Sequence, residues 1–282
     1  MSARITAVAA QKGGATKTAV AINIGPLLAG AGRRTLLVDL DQQADLTRRF
    51  GHNAETLDYS VVDVLAPRDS VPVDQAIVRD VRGIPGLDLL ASDIRAAGLE
   101  DQLSGQRYRE RLLRQALGPI LDDYDELVMD CPPSLGTLTM NGLVAADRCL
   151  VPVNMQDEAA IAGMEQLLET LRTIQEQESD PVRLQAIVKN RAKPTSRAYR
   201  LNSEALDPFV KAGLPFAHIE LREAAAWHNA AADGLPLVLA LPNSEAARNF
   251  RDLMIELWPD VEFPYMSDLA ATWRRRTHAE VA

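Results

Sequence analysis

The N-terminal part of the chain contains side chains suited to binding phosphate. The sequence AAQKGGATKTA follows the apolar run at residues 5–8 and brings together two glycines, two lysines and two threonines. Gly13 and Gly14 would let the backbone approach an anion closely, because they carry no Cβ. Lys17 is placed to reach the β- and γ-phosphates of a nucleotide, and the Thr18 hydroxyl can ligate Mg²⁺. This stretch therefore predicts a nucleotide-binding loop.

The loop departs from the usual order of residues, which is G-x-x-x-x-G-K-[ST]. Gln11 and Thr16 occupy the two glycine positions, and Lys12 adds a cation. Taken alone, the stretch is also compatible with a glycine-rich turn between a strand and a helix that carries lysines by chance. Acidic residues elsewhere in the chain favour the nucleotide interpretation.

These acidic residues follow two later apolar runs. The sequence VDLDQQADLT at 38–47 places Asp39 and Asp41 at the end of one predicted strand, and ELVMDCPPS ends another in Asp130. The carboxyl ends of parallel strands meet at one edge of a sheet, which is where ligands bind. An acid in that position commonly holds Mg²⁺ beside a phosphate-binding loop. The three elements together, in this chain order, predict a nucleotide and metal site.

Short apolar runs alternate with longer helical patterns along the chain. The predicted strands lie at about 5–10, 34–40, 86–92, 126–131, 147–153 and 183–190. The predicted helices include 18–28, 95–117 and 158–176. Apolar strands separated by helices predict one α/β domain, in which a mostly parallel twisted sheet is covered by helices on both faces.

Bulk composition excludes several classes of protein. The 282 residues suffice to bury a core, and 47% of them are hydrophobic. The formal net charge of -9 argues against a coat of nucleic acid but allows a local basic patch. Cys131 and Cys149, in apolar surroundings, favour buried reduced thiols over a zinc site or a disulfide framework. No segment reaches about 18 consecutive apolar residues, so a soluble, cytoplasmic protein is expected.

Over whole segments, the chain resembles the ParA/Soj partition ATPases, which belong with MinD to the deviant-Walker ATPases. Their loop reads x-K-G-G-x-x-K-[ST], and KGGATKT at residues 12–18 matches it throughout. The segments YSVVDVLA, GLDLLAS, YDELVMDCPPSLGTLTMNGLVAADRCLVPVN and LPNSEAARNFRDLMIEL look like ParA segments in the same order. The resemblance covers nearly the whole chain. It implies a P-loop NTPase domain at residues 1–264 and a basic C-terminal tail at 265–282.

The resemblance also implies roles for individual residues in binding and hydrolysing ATP with Mg²⁺. Lys12 would reach across a homodimer to the partner's nucleotide, and Lys17 would bind phosphates within its own chain. Thr18 and Asp130 would hold Mg²⁺. Asp41 would orient the attacking water, and basal hydrolysis would be weak. The residues implied to contact the nucleotide are Lys12, Gly13, Gly14, Ala15, Thr16, Lys17, Thr18, Ala19 and, as an adenine contact, Asn190.

Two departures from the family pattern bear on these roles. Where the family often has D-P-Q-G-N, this chain has DQQAD at residues 41–45. The missing proline and glycine leave Asp41 in place but make the geometry of the turn an open question. The segment after Val153 is one residue longer than is usual in the family.

A basic stretch, KNRAKPTSRAYR at residues 189–200, contains no acidic residue. The resemblance implies that the ATP-bound dimer binds DNA without sequence preference, which needs only cations that contact backbone phosphates. A solvated basic loop is the alternative interpretation. The arginines at 274–276, beside Trp273, could extend the patch. The residues predicted to bind DNA are Lys189, Arg191, Lys193, Arg197, Arg200 and Arg222.

The implied partner is a ParB-like centromere-binding adaptor that stimulates hydrolysis and so releases the dimer from DNA. In the ATP-bound state the protein would associate with the nucleoid. Because the phosphate loop begins at residue 12, no room remains before it for a helix-turn-helix, and specific operator binding is not expected.

Three other functions are weighed against partition. A MinD-like membrane-cycling ATPase, which would position a cellular structure, needs an amphipathic C-terminal helix, and DLAATWRRRTHAEVA offers few large apolar residues. A metabolic ligase of the superfamily would leave Lys12 without its role across a dimer. An iron–sulfur reductase would require Cys131 as a ligand, although D-C-P-P at this position is frequent in ParA.

Overall fold

The chain folds around one long sheet. The structure is a computed structural model, and it describes residues 2–11, 16–53 and 56–279. The strands are β1 (Arg4–Val8), β2 (Thr35–Asp39), β3 (Ile77–Val78), β4 (Leu87–Leu90), β5 (Glu126–Asp130), β6 (Arg148–Asn154), β7 (Arg183–Ala192) and β8 (Leu221–Arg222).

Most of the connections between the strands are helical. The helices of the N-terminal half are α1 (Thr16–Gly30), α2 (Asp45–Arg49), α3 (Val61–Leu65), α4 (Ala96–Leu103), α5 (Leu112–Leu117) and α6 (Thr137–Ala145). Those of the C-terminal half are α7 (Ala160–Gln177), α8 (Arg197–Lys211), α9 (Ala225–Ala232), α10 (Leu237–Ala240), α11 (Glu245–Leu257) and α12 (Met266–Ala279). Short 3₁₀ turns lie at Val73–Ala76, Val81–Gly83, Arg109–Arg111 and Gly118–Asp123.

The order of strands in the sheet is β3-β4-β2-β5-β1-β6-β7-β8. Every pairing is parallel except the one between β3 and β4. The central strands β2 and β5 are buried along their whole length, as expected for parallel strands that helices cover on both faces. The predicted α/β class and mostly parallel sheet are confirmed.

Successive side chains of the central strands pack into different layers. Ala7 and Met129 belong to the core that α3, α5, α6 and α7 cover, whereas Val8 and Val128 belong to the core that α1 and α11 cover. This alternation follows from the pleat of a strand, which sends neighbouring side chains to opposite faces. The sheet is therefore the middle layer of three, and its strand ends lie between the two helical layers.

The single long helix predicted at 95–117 is wrong. Two helices, α4 and α5, occupy the region, separated by a turn that includes Gly105. Tyr108 in this turn has a φ of 57°, in the left-handed region that an α-helix does not contain. The charged helical pattern concealed this break because the residues on either side have ordinary helical composition.

The segment predicted as a basic tail forms helix α12, and its first turns are packed. Met266, Leu269 and Ala270 are buried, and Leu269 lies against Gly30 at the end of α1. A Cβ at Gly30 would overlap the Leu269 side chain, so this glycine allows the close approach of the two helices. Across the described ranges, no helix is both long enough and apolar enough to span a membrane.

Candidate functional site

The register of the central strands assembles the acidic residues at one edge of the sheet. In β2 and β5, Asp39 is the partner of Asp130, and in β1 and β5, Val8 is the partner of Asp130. Three adjacent strands therefore end at the same level. The chain leaving β1 enters the segment before α1 at this point, so the predicted phosphate loop and the predicted metal carboxylate share one edge.

Thr18, in the first turn of α1, contacts the carboxylate of β5. Its hydroxyl donates a hydrogen bond of 2.6 Å to Oδ2 of Asp130. Asp130 is fully buried, and its other oxygen, Oδ1, has no hydrogen-bond partner among the described residues. Burial, together with the nearby charge of Asp39, raises the pKa of Asp130 well above its usual value. A buried carboxylate oxygen without a partner is costly unless a ligand completes it.

Asp39 has a different environment, although it is equally buried. Its Oδ2 accepts hydrogen bonds from the backbone N–H of Thr47 at 2.9 Å and from the Thr47 hydroxyl at 2.7 Å. Its Oδ1 accepts one from the N–H of Asp41 at 3.1 Å. Burial raises the pKa of Asp39 to about 6, against the lowering effect of these bonds. Asp39 therefore holds the turn that carries Asp41, and this role was missed from the sequence.

The turn at 41–45 is closed by hydrogen bonds within it, although it lacks the proline and glycine of the family pattern. The N–H of Ala44 donates to the carbonyl of Asp41 at 2.9 Å, and the N–H of Gln43 donates to Oδ1 of Asp41 at 2.9 Å. Ala44 has a φ of 49°, the left-handed conformation that glycine adopts at no steric cost. The turn thus uses an alanine where the backbone favours glycine. Asp41 itself is half-buried at the edge of the site.

The predicted phosphate loop is described only at its two ends. Lys12, Gly13, Gly14 and Ala15 lie outside the described residues. Thr16 begins α1, and the Lys17 side chain is buried close enough to Asp130 that its charge opposes the rise in the pKa of that carboxyl. The first turn of α1 contains no acidic residue, so its free N–H groups and the helix dipole favour an anion.

The entry to this loop packs against α7. A Cβ built on Gly163 would lie 2.7 Å from the backbone oxygen of Gln11, closer than atoms in contact allow. The side-chain oxygen of Gln11 is buried, and no residue in the described ranges donates a hydrogen bond to it. Gly163 therefore lets a helix from the opposite half of the chain touch the residue that precedes Lys12.

A cavity of about 200 Å³ adjoins the first turn of α1. Its lining includes Thr18, Ala19, Asn190, Trp227 and Leu237. Asn190 is buried, and its side-chain oxygen accepts a hydrogen bond of 2.7 Å from the N–H of Arg191, so its amide nitrogen is left as a donor. A mostly apolar cavity with one amide donor, next to a phosphate-binding helix end, suits a nucleotide base.

Several residues that line this cavity were missed from the sequence. Trp227 is held by a hydrogen bond of 3.1 Å from its indole N–H to the carbonyl of Arg222 and by an edge contact with Phe250. Asp45 and Arg49 come from α2. A tryptophan in the alanine-rich stretch AAWHNAAA was the one available signal, because an aromatic residue there has little else to pack on.

The basic residues predicted to bind DNA divide into two groups. Three of them form ion pairs: Lys189 with Glu220 at 3.1 Å, Arg191 with Glu223 at 2.6 Å, and Arg222 with Glu245 at 3.2 Å. Hydrogen bonds and charge from Arg191 hold the pKa of Glu223 below its usual value, with smaller contributions from His228 and Lys193. The acids that pair with these cations all come from residues 220–245, after the basic stretch in the sequence.

The remaining three residues are exposed: Lys193 lies in the turn between β7 and α8, and Arg197 and Arg200 lie in the first turn of α8. Within the described ranges, none of the three makes a salt bridge. The arginines at 274–276 lie on α12, and Trp273 donates a hydrogen bond of 2.9 Å to the carbonyl of Arg82.

Comparison with known proteins identifies several relatives of this chain. A family model described as "AAA domain" matches residues 3–184. The chain is 32% identical over 262 residues to the sporulation initiation inhibitor protein Soj of Bacillus subtilis, covering 90% of this chain and 98% of Soj. It is 35% identical over 187 residues to the chromosome partitioning protein ParA of Caulobacter vibrioides, covering 66% of this chain and 68% of ParA.

A solved structure shares the fold over most of the chain. This is a Mycobacterium smegmatis protein named cobyrinic acid a,c-diamide synthase, determined with an ATP analogue and magnesium. Its identity to this chain is 32% with a TM-score of 0.75, and the match covers 93% of this chain and 99% of that one. Together, the family model, the Soj and ParA matches and the shared fold show that the chain belongs to the ParA/Soj family of partition-type ATPases within the MinD/ParA superfamily.

Proposed function

We propose that the protein is a DNA partition ATPase that forms an ATP-sandwich dimer and binds DNA without sequence preference. ATP hydrolysis, stimulated by a ParB-like adaptor, releases the dimer from DNA. The observation that carries the proposal is the pair formed by Thr18 and Asp130 at the first turn of α1. This pair sets a hydroxyl and an uncompensated carboxylate oxygen beside a helix end that favours phosphate.

The residues present fit a magnesium ion. Mg²⁺ is held in nucleotide sites by one or two oxygen side chains, by waters and by the phosphates themselves. Thr18 and Asp130 would supply the protein's part, and a divalent cation would neutralise the two buried carboxylates of this edge. Across the described residues, no group of three acidic, histidine or cysteine side chains forms a metal site by itself. That finding agrees with a metal held largely by the nucleotide. When bound, Mg²⁺ would stabilise charge that develops on the phosphates.

Three residues have separate tasks in hydrolysis. Lys17 would bind the phosphates of its own chain. Asp41, fixed by its backbone bond to Asp39, would orient the attacking water. Lys12 would bring positive charge from the partner chain, which has the physical logic of an arginine finger. These roles rest on the family resemblance.

DNA binding is proposed for three exposed cations in the turn before α8 and in its first turn. Phosphate contacts need only positive charge, and Lys193, Arg197 and Arg200 offer it without a salt bridge to any described acid. We assign Lys189, Arg191 and Arg222 a smaller part because each is already paired with a glutamate.

The direct test is duplex DNA binding with ATP, ADP and no nucleotide in parallel, each with Mg²⁺ and at two salt concentrations. The proposal expects DNA binding with ATP alone, weakened by salt, together with dimers by light scattering. Binding to anionic liposomes in place of DNA would contradict it and would favour a MinD-like membrane cycle.

Two variants separate the parts of the proposal. Lys12→Ala should abolish ATP-dependent dimerisation and stimulated hydrolysis while the monomer still binds ATP. Asp41→Ala should trap an ATP dimer on DNA. Unchanged hydrolysis in the first variant, or normal turnover in the second, would show that the assigned role is wrong.

The amide-synthase name of the Mycobacterium smegmatis relative does not change this proposal. A cysteine that acts as a nucleophile in such chemistry reacts as the thiolate, which a lowered pKa or an adjacent base supplies. The two cysteines of this chain, Cys131 and Cys149, are fully buried, and burial raises the pKa of both thiols. Neither is therefore suited to that chemistry.

A further inference from the structure

One wall of the base cavity is a short segment that combines buried apolar side chains, among them Val238 and Leu239, with a few hydrogen bonds to other elements. We call residues 225–240 the wall segment; it contains α9 and α10 and supplies Trp227 and Leu237 to the cavity. At its far end, the N–H of Val238 donates to the side-chain oxygen of Asn23 in α1 at 3.0 Å. Its middle, where α9 ends, is held by two arginines.

These arginines bind carbonyls at the C-terminal end of α9. Arg49 donates from Nη1 to the carbonyl of Ala231. Arg82 donates from Nη2 to the carbonyl of Gly234 at 2.9 Å and from Nε to the carbonyl of Arg49 at 3.0 Å. The last carbonyls of a helix lack partners within the helix and carry partial negative charge, so cations are favoured there. Arg82 thus ties the end of α9 to the end of α2.

Arg82 loses hydration in this position. The groups that it binds are carbonyls, which do not neutralise its charge as a carboxylate would. In the part of the chain that the structure describes, it makes no salt bridge, and burial lowers its pKa. Gly51, which has a φ of 84°, lies beside the guanidinium, where a Cβ would come 3.3 Å from Cζ. The absence of a side chain at Gly51 therefore leaves room for the guanidinium of Arg82.

The backbone that carries Arg82 is also in an unfavourable conformation. Arg82 has a φ of 53°, and the neighbouring Asp80 has a φ of 46°. Left-handed conformations are unfavourable for residues that have a Cβ, because it approaches the following carbonyl oxygen. Such backbone is retained where the surrounding structure requires it, and it is found often at functional sites.

Arginine suits this position, because its guanidinium can bind carbonyls on two separate segments at once. Its planar fork presents donors in fixed directions, so one group can reach the carbonyl that ends α2 and a carbonyl just after α9. The carbonyl of Arg82 in turn accepts the indole N–H of Trp273, which links α12 to the same point. Three elements that are distant in sequence therefore meet at one residue.

We propose that Arg82 is a positioning residue for the base of the bound nucleotide: it holds the wall segment against α2 and so sets the width of the base cavity. The inference rests on the proposed function, in which this cavity receives the base of ATP. Arg82 does not line the cavity itself. Its effect should therefore be confined to binding of the base and should leave binding of the phosphates unchanged.

The test measures the affinity of the full-length protein for ATP and for inorganic triphosphate by calorimetry, each with Mg²⁺. For Arg82→Met, we expect the Kd for ATP to rise about tenfold, as for the loss of a charged hydrogen bond. The Kd for inorganic triphosphate should change by less than about twofold, because that ligand has no base. In hydrolysis assays, the KM for ATP should rise while kcat stays unchanged.

The matched control is Arg79→Met. Arg79 lies three positions earlier in the same region, and its guanidinium pairs with Asp88 at 2.8 Å and not with the wall segment. We expect this variant to bind both ligands like the wild type. Equal effects of the two variants, or equal weakening of ATP and triphosphate in Arg82→Met, would overturn the inference.

A second variant keeps the inference testable if Arg82→Met does not fold. Arg82→Lys keeps the charge but loses the fork, so we expect about a threefold rise in the Kd for ATP. A rise in Kd for triphosphate of the same size would overturn the inference. A wild-type protein that binds neither ligand would overturn the proposed function as well, whereas unchanged ATP affinity in both Arg82 variants would overturn this inference alone.

Discussion

The carboxyl edge of the sheet and the basic surface at the start of α8 differ in how their charges are compensated. At the edge, Asp130 is fully buried, and one of its oxygens has no hydrogen-bond partner within the described part of the chain. On the surface, Lys189, Arg191 and Arg222 are each paired with a glutamate, while Arg197 and Arg200 are exposed. The described residues thus leave one carboxylate oxygen of the acidic site without a partner, whereas they neutralise half of the basic surface.

This difference separates two kinds of binding. A buried charge without a partner lowers the free energy of unfolding. A bound ligand of opposite charge offsets this loss, so the site favours one ligand held in one geometry. Exposed cations cost little and bind any phosphate chain within reach, so their contribution scales with number and falls with salt. The four predictions that follow test this contrast in order of expected effect.

The largest effect is expected at Asp130. Asp130→Asn should lower ATP hydrolysis about 100-fold or more, because the charge that helps to hold Mg²⁺ is lost. The same change should raise the free energy of unfolding of the nucleotide-free protein by about 1 kcal/mol, since a buried charge is removed. Thermal unfolding with and without ATP and Mg²⁺ measures both consequences. Lower stability without the nucleotide would show that the carboxylate is not the uncompensated group inferred here.

A second prediction concerns the packing of Gln11 against α7. In Gly163→Ala the new Cβ would meet the backbone of Gln11, which cannot move away as a flexible side chain would. We expect the Kd for ATP to rise about tenfold and the free energy of unfolding to fall by about 1–3 kcal/mol, as in overpacked sites.

The control is Gly98→Ala in helix α4, where the nearest atom to a new Cβ is the end of the Gln102 side chain at 3.9 Å. Alanine is the better helix former, so this variant should gain up to about 1 kcal/mol and bind ATP normally. A gain in stability for both variants would mean that Gly163 is an ordinary helical glycine.

On the basic surface, the predicted effects are smaller. Arg197→Ala and Arg200→Ala should each weaken DNA binding of the ATP-bound protein roughly threefold to tenfold and reduce the salt dependence by about one phosphate contact per chain. Arg222→Ala, which removes an exposed but paired arginine, should weaken it less. Electrophoretic mobility shifts over a salt series measure these effects. Equal losses in all three variants would mean that pairing does not matter.

The smallest effect concerns the turn that carries Asp41. Ala44→Gly would relieve the left-handed conformation of Ala44 and should raise the free energy of unfolding by about 1 kcal/mol. The gain is limited because glycine also increases the entropy of the unfolded chain. Chemical denaturation measures the change, and a loss of stability would show that the alanine methyl is well accommodated.

The sequence predicted the acidic edge well because its information is local. Thr18 follows a glycine-rich loop, Asp130 ends an apolar strand, and the parallel sheet then requires both to lie at one edge. The role of Asp39 could not be predicted in the same way, because it depends on Thr47 returning to the carboxylate after the turn.

The basic surface was harder to predict because its compensation is not local. The stretch at 189–200 contains no acid, so all of its cations look free. The glutamates that neutralise three of the predicted residues reach them only through the pairing of β7 with β8 and the start of α11. The wall segment and Arg82 could not be predicted for the same reason, because the contacts of Arg82 join segments about 30 and 150 residues apart in the sequence.

The packing of Leu269 on Gly30 has a consequence for folding of the chain. Helix α1, which contributes Thr18 to the candidate site, and helix α12, which covers its far end, lie far apart in the sequence. A contact between such distant segments closes a long loop, and the entropy lost in closing it has to be offset by contacts made elsewhere in the domain. We therefore expect the cover on α1 to form late in folding, after the sheet between the two helices.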